Sequence, residues 1–332
     1  MDWNAVWGTV ASAAAAVWAF LAAFVPRAIM QAMPLLYGST GEILTEKSGN
    51  LNLGIPGIMF VGAIAGVSGA FIYEHSGAQM SGVLAVLIPL LSCLAGSFLM
   101  GLLYCFLTVT LRANQNVTGL SLTIFGTGIA QFLGGSLIKI THAQASGVAS
   151  ITITETVKYY SDGNVPGWLG YSAVGIAILT SLFLKYTRTG MQLRAVGENP
   201  ATADAAGINV TRYKYLATII GSMIAGLGGL CFLMECAHGT WSEPRIDQIG
   251  WLAIALVIFT TWRPTISIFA SLMFGGLLIL SEHLNPPIGI KELYTLIPYV
   301  VTLLVLIIVS LRKKRENQPP QSLGLAYFRE ER

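Results

Sequence analysis

Residues 293–311 read LYTLIPYVVTLLVLIIVSL, a stretch without one charged side chain. A helix of that length crosses about 30 Å of hydrocarbon, and a run this apolar has no stable place on a soluble surface. The pattern recurs along the chain. Apolar stretches cover approximately 5–24, 27–44, 51–73, 82–110, 117–139, 167–186, 213–234, 249–262, 265–282 and 293–311, which gives ten candidate spans. Only 11% of the 332 residues are charged, against about 25% in a typical soluble domain. No stretch is polar enough to form a separate soluble domain. The expected fold is therefore all-α: a polytopic transmembrane helix bundle of about 8–10 spans, with one domain over 1–312 and a tail over 313–332. Two spans are weak. Pro34, Glu42 and several small residues interrupt the second, and the eighth is short and ends before Arg263-Pro264, as expected of half-helices lining a protein-enclosed cavity.

Lysines and arginines set the orientation. With ten spans both termini fall on one side, and that side holds all of the 19 basic residues except Arg27, Lys139, Lys158, Arg245 and Lys291. The basic side is expected to be cytoplasmic, which gives a multi-pass protein of a bacterial-type plasma membrane with both termini inside. The Ala-rich start lacks a basic n-region and reads as a membrane helix rather than a cleaved leader. The net charge of +3 gives no footing for nucleic acid. Cys93, Cys105, Cys231 and Cys236 show no metal or disulfide spacing and read as small buried hydrophobes. His75, His142, His238 and His283 read as outer-surface residues, so no metal or cofactor is expected. No nucleophile–base constellation occurs in the spans, and no catalytic residue is assigned.

Small residues repeat every fourth position at Gly62, Gly66 and Ala70 and at Gly221, Ala225 and Gly229, as expected for close helix packing within the bundle. The outer loop at about 140–166 is rich in Thr, Ser and Tyr and reads as a short hairpin that docks a partner or caps the bundle. Glu42, Glu46 and Lys47 read as an interfacial ion-pair cluster, and Glu235 as a solvated residue at an outer helix end. The basic residues at 312–315 read as a headgroup anchor.

The polar loop 187–212 is not built as a flexible linker. Asn199 is a good N-cap, Pro200 suits the first helical position, 201–206 are mostly helix formers, and Gly207 suits the left-handed residue after a helix end. The spacing predicts a rigid helix of about two turns, near 10 Å long. A short knob faced with alanine suits either a groove on another protein or the membrane surface.

That loop, TGMQLRAVGENPATADAAGINVTRYKYLATIIGSMIAGLGG, resembles the coupling loop of ABC importer permeases of the ribose, branched-chain amino-acid and nucleoside group. PLLYGSTGEILTEKSGNLNLGIPGIMFVGA at 34–63 resembles the N-terminal signature of these permeases, and ANQNVTGLSLTIFGTGI at 113–129 their central span. GWLAIALVIFTTWRP at 250–264 and LIPYVVTLLVLI at 296–307 resemble their C-terminal region. Within the group, the E-K-S-G-N-L-N-L-G stretch and the chain ending are most similar to nucleoside-uptake permeases. Pro56 departs from the pattern, which expects Glu there. The resemblance implies a cytoplasmic ABC ATPase, a second and non-identical permease subunit, an extracytoplasmic substrate-binding lipoprotein and surrounding lipid. It implies ATPase contacts at Arg194, Gly197, Glu198, Asn199, Pro200, Ala203, Asp204 and Gly207, with Ala206 allowing close approach. Consistent with a separate ATPase, the chain has no G-x-x-x-x-G-K-[ST] loop.

Polar residues within spans are costly and often functional. Asn52, Asn116, Thr118, Ser121, Thr123 and Gln131 are candidates for the substrate pathway. Their amides and hydroxyls, with no unpaired intramembrane Lys or Arg, suit a nucleoside; the same machinery could instead carry a simple sugar or a branched-chain amino acid. A secondary transporter driven by an ion gradient is the more distant alternative. It would need Asp, Glu or His in a span centre.

Overall fold

The computed structural model describes residues 3–77, 79–140, 151–161, 165–241, 245–283, 291–311 and 318–328. These residues form eleven α-helices: α1 (Trp3–Glu46), α2 (Ile55–Glu74), α3 (Gly82–Cys105), α4 (Gln115–Ile140), α5 (Trp168–Tyr186), α6 (Arg188–Glu198), α7 (Pro200–Ala205), α8 (Val210–Cys231), α9 (Arg245–Phe259), α10 (Pro264–His283) and α11 (Lys291–Leu311). Six of them are long and apolar enough to cross a membrane, and three shorter apolar helices lie in α9, α10 and α11. Helices are the natural solution here, because an α-helix satisfies its backbone internally where no water is at hand. The protein is a multi-pass helical membrane bundle.

One boundary differs from the sequence reading. The first two candidate spans form a single helix, α1, which is 44 residues long with Pro26 and Pro34 inside it. At 1.5 Å per residue it extends about 66 Å, well beyond one membrane thickness. Proline lacks a backbone donor, but in a membrane helix this need not end the helix. The ten-span count depended on a break at Pro26, and so did the placement of both termini on one side.

α8 is the central post. It packs against α1, α2 and α3, and the expected small residues make those approaches possible. A side-chain carbon at Gly62 would come within 2.7 Å of the Gly226 Cα, and one at Gly66 within 2.6 Å of Leu230. Added carbons at Gly41 and Gly221 would collide with each other's backbone carbonyls. The small-residue faces therefore serve packing within the chain. α2 and α4 meet equally closely: a carbon at Gly126 would lie 2.5 Å from the Gly57 carbonyl. Pro56, at the start of α2, packs against Gly250 of α9.

The bundle has two distinct ends. At one, α1 ends, α2 begins and α6, α7 and residues 318–328 gather. At the other, residues 151–161 lie over α2, α3 and α8. These residues do not pair with one another as a hairpin; Thr152 instead bridges Thr240 beyond α8, with Ile153 N–H donating to the Gly239 carbonyl at 3.0 Å. The Glu74 carboxylate accepts the backbone N–H groups of Thr154, Glu155 and Thr156, at 2.6 to 3.3 Å. Tyr160 donates to the Val86 carbonyl at 2.7 Å, so the segment is fixed to α2 and α3. His75 and His238 are exposed at this end, as expected; His142 lies outside the described residues.

Glu235 is not solvated. It is fully buried in the π-helical turn Phe232–Cys236, where its two carboxylate oxygens accept N–H groups of Gly167 and Gly170 at 3.0 and 2.8 Å. It thus caps the N-terminus of α5, where unpaired donors and the helix dipole favour a negative group.

Candidate functional site

The expected knob forms from purely local signals. The Asn199 side-chain oxygen accepts the Thr202 N–H at 3.0 Å, and Pro200 opens the helix. At the other end Gly207 has φ +83°, the Ile208 N–H donates to the Ala203 carbonyl and the Gly207 N–H to the Asp204 carbonyl, both at 3.0 Å. This is a Schellman closure, which uses the left-handed glycine to satisfy the last carbonyls. α7 is therefore fixed at both ends within six residues.

The preceding helix was not anticipated. Residues 188–198 form α6, capped by the Thr187 hydroxyl, which accepts the Gly190 N–H at 3.0 Å. α6 buries Leu193 and Val196 and leaves Arg194 and Glu198 exposed. Loop 187–212 is thus a helix pair, its two members in contact and joined at the extended residue Asn199.

The eight expected coupling residues divide into two groups. Arg194, Glu198, Asn199 and Gly207 are exposed, and Pro200 and Asp204 are half-buried. Ala203 and Gly197 are buried. Ala203 packs with Val196 and Val210 and faces its own chain, whereas Ala206 is exposed. A carbon added to Gly197 would collide with the Lys47 carbonyl, so this glycine seats α6 on the backbone that follows α1. Lys47 sits beside Glu198, Arg194 and Arg263. Burial holds its ammonium below the ordinary lysine range, the two arginines push the same way, and Glu198 opposes them.

The nearby carboxylates do not form the expected ion-pair cluster. Glu42 and Glu46 are buried, and neither makes a salt bridge among the described residues. Glu42 accepts the Asn52 backbone N–H at 3.0 Å, and Glu46 accepts the indole N–H of Trp262. Trp262 has φ +56°, uncommon for a bulky residue, at the sharp turn between α9 and α10. The stretch between α1 and α2 is pinned further. Asn50 donates to Thr218 and Thr108 at 3.1 and 3.4 Å, Leu51 N–H donates to Gln115 at 2.7 Å, and Tyr104 donates to the Leu51 carbonyl. The E-K-S-G-N-L-N-L-G motif is thus a buried polar joint linking α1, α3, α4, α8 and the turn between α9 and α10.

The six expected pathway residues also separate. Asn52, Thr118 and Thr123 are buried. Asn52 accepts the Gly54 N–H at 2.9 Å, and Thr123 donates to the Leu53 carbonyl at 3.0 Å, so both fasten the entry to α2. Asn116, Ser121 and Gln131 are exposed on α4. Ser121 and Gln131 share an open face with Gly128 and Gly135, and a carbon added to either glycine would meet nothing within 4 Å.

Residues 318–328 complete this end of the molecule. Ser322 donates to the Gly197 carbonyl, Gln115 donates to the Leu325 carbonyl at 3.4 Å, and Tyr327 donates to an Asp204 carboxylate oxygen at 2.9 Å. The Arg112 guanidinium lies 4.7 Å from the Phe328 ring centre. Sequence periodicity carries no trace of this strap, because it is short and irregular.

Residues 24–309 match the family described as the branched-chain amino acid transport system / permease component. The chain belongs to that family. Among relatives of this permease, a nucleoside ABC transporter permease, NupC of Lactococcus lactis, is 31% identical over 298 residues, covering 84% of this chain and 89% of the relative. A guanosine ABC transporter permease, NupQ of Bacillus subtilis, is 28% identical, covering 86% and 91%. A putative glucose ABC transporter permease, TsgC13 of Haloferax volcanii, is 30% identical, covering 77% and 76%. The permease is a transport component, and ATP hydrolysis belongs to a separate subunit of such a system.

Proposed function

We propose that this permease forms part of the membrane pathway of an ATP-driven nucleoside importer in a bacterial-type plasma membrane. The bundle end carrying α6, α7 and residues 318–328 is cytoplasmic. There α7 docks in a groove of a separate ATPase through Glu198, Asn199, Thr202, Ala205 and Ala206, with Arg194 at the edge. The observation that carries this reading is the construction of α7: a very short helix, capped at both ends, seated on its own chain through Ala203 and presenting small exposed side chains outward. Such a body moves as a unit, so a push from a partner is passed to α5 and α8, which flank the pair.

The exposed face of α4 faces a second permease subunit, a non-identical paralogue, across the pathway. A Gln131 amide turned toward hydrocarbon would leave polar groups unsatisfied. A water-filled path or a subunit interface resolves that cost. Amide and hydroxyl groups suit the uncharged edges of a nucleoside, and two of the relatives carry nucleoside or guanosine in their names. On the opposite side, residues 151–161 receive an extracytoplasmic binding lipoprotein.

The test is uptake of labelled nucleosides in cells with and without the chain, challenged by unlabelled nucleosides, ribose, glucose and leucine. Loss of uptake on deletion, with competition by nucleosides alone, is the expected result. Unchanged nucleoside uptake with loss of sugar or leucine uptake would discard the cargo and keep the importer.

A further inference from the structure

A cavity of about 580 Å³ lies beside α7, between residues 108–112 that follow α3, the start of α8, the end of α7 and residues 326–327. Among the described residues three cations line it, Arg112, Arg212 and Lys214, against one carboxylate, Asp204, which already accepts a hydrogen bond from Tyr327. The N-terminus of the 22-residue α8 opens onto the same space, with Asn209 capping the Arg212 N–H at 3.0 Å. The remaining first-turn N–H groups of a helix have no acceptor within it, and the dipole adds to their positive character.

Lys214 is the decisive group. The sequence reading counts it among the basic-side cations, at the start of the candidate span 213–234, and expects no unpaired intramembrane Lys or Arg; it stands instead in the first turns of α8, is only 3% exposed and makes no hydrogen bond or ion pair among the described residues. With its stem buried, the Lys214 ammonium has only the cavity to face, and holding a charge in so confined a space without a protein partner is a cost that an anion relieves. Two arginine forks and an ammonium around one space match a group carrying more than one negative charge and several acceptor oxygens, which is the chemistry of phosphate. The volume exceeds what a lone phosphate needs and lies in the range of small-ligand sites, and Tyr327 offers a ring to an organic substituent.

We propose that this cavity is a cytoplasmic binding site for a phosphate-bearing anion, held by Lys214, Arg212 and Arg112. The anion is either a free phosphomonoester or a lipid headgroup, since both bring the same chemistry to the membrane edge. Its occupation ties α8, α3 and the terminal strap together beside α7. The site requires neither the cargo nor the docking partner inferred above, so its test is independent of theirs.

The experiment uses the full chain with its co-purifying subunits in lipid nanodiscs. In neutral phosphatidylcholine discs, the melting temperature and equilibrium binding are measured with inorganic phosphate and with adenosine 5′-monophosphate. In a second arm, the same discs are doped with anionic phosphatidylglycerol in buffer free of phosphate and nucleotide. Stabilisation by a soluble probe in neutral discs that Lys214→Met and Arg212→Gln diminish identifies a free phosphomonoester in this cavity, and such variant-sensitive stabilisation only in doped discs identifies a headgroup. In either case Lys214→Met is expected to weaken binding about ten-fold or more, the usual scale for losing a charged hydrogen bond. Arg212→Gln, at an exposed position that folding does not depend on, should weaken it several-fold. If no probe raises the melting temperature of the wild-type chain, or if Arg212→Gln and Lys214→Met bind as the wild type does, the proposal is overturned.

Discussion

Ser322 donates to the Gly197 carbonyl from both its backbone N–H (3.0 Å) and its hydroxyl (2.5 Å), and the hydroxyl also lies 3.5 Å from the Val196 carbonyl. The end of α6 is thereby clamped between the terminal strap and the backbone after α1. Ser322→Val removes one of the two donors and should destabilise the contact by about 1 kcal/mol. Deleting 318–328 should do more: proteolysis of loop 187–212 should accelerate and uptake should fall several-fold, while membrane insertion persists. Limited proteolysis of inverted vesicles measures the first effect, and equal cleavage rates would contradict it.

The crossing of α1 and α8 tolerates no side chain at Gly41. Gly41→Val should cost on the order of 1–3 kcal/mol through overpacking, with reduced membrane levels. Gly128→Val, where an added carbon meets nothing within 4 Å, should leave levels unchanged. Fluorescence-detected size exclusion on both variants decides the matter.

Glu235 closes the start of α5 from 65 to 68 residues away. Glu235→Ala strands two N–H groups and should lower stability by about 1–2 kcal/mol. Glu235→Gln keeps one acceptor and should fall between. The ordering wild type, Gln, Ala in melting temperature is the expected outcome; a solvated glutamate would give three equal values.

Much of this molecule is readable from local pattern. Asn199, Pro200 and Gly207 announce α7 because cap and closure are decided within a few residues. Apolar length announces the spans for the same reason. What escapes reading is decided by distant partners. Glu235 looks solvated by its position at a helix end, and only the folded chain brings Gly167 and Gly170 against it. Lys214 looks like one more basic-side cation at the start of a span, and only the folded chain shows it buried at the wall of a cavity. Thr123 and Gln131 look alike in sequence, yet the close approach of Gly57 and Gly126 turns the first inward and leaves the second open. At Pro26 the local rule itself misleads, since proline marks a boundary in water more firmly than in a membrane helix.

That division of α4 makes a kinetic prediction. Gln131→Leu should raise the KM for uptake several-fold with expression unchanged. Thr123→Val should lower protein levels and leave the KM of the surviving transporter alone. Measuring initial uptake rates against surface-labelled protein separates the two effects. A raised KM in both variants would put Thr123 in the pathway as well.

Coupling should likewise be separable from folding. Ala206→Trp adds bulk at an exposed position of the knob and should depress uptake at least ten-fold at normal protein levels, by blocking close docking, while basal ATP hydrolysis continues. Gly197→Val should instead reduce the amount of folded protein, because the Lys47 carbonyl occupies the space. Parallel hydrolysis and transport assays on the purified assembly distinguish the outcomes.

The strap also imposes an order on biogenesis. Residues 318–328 follow α11, so every described span has left the ribosome before Ser322 can reach Gly197. A chain stalled or cut short after α11 would sit in the membrane with its helices threaded but with α6 and α7 unclamped. Engagement by an ATPase at this surface would then act as a proofreading step, admitting into the assembly only chains translated past that point.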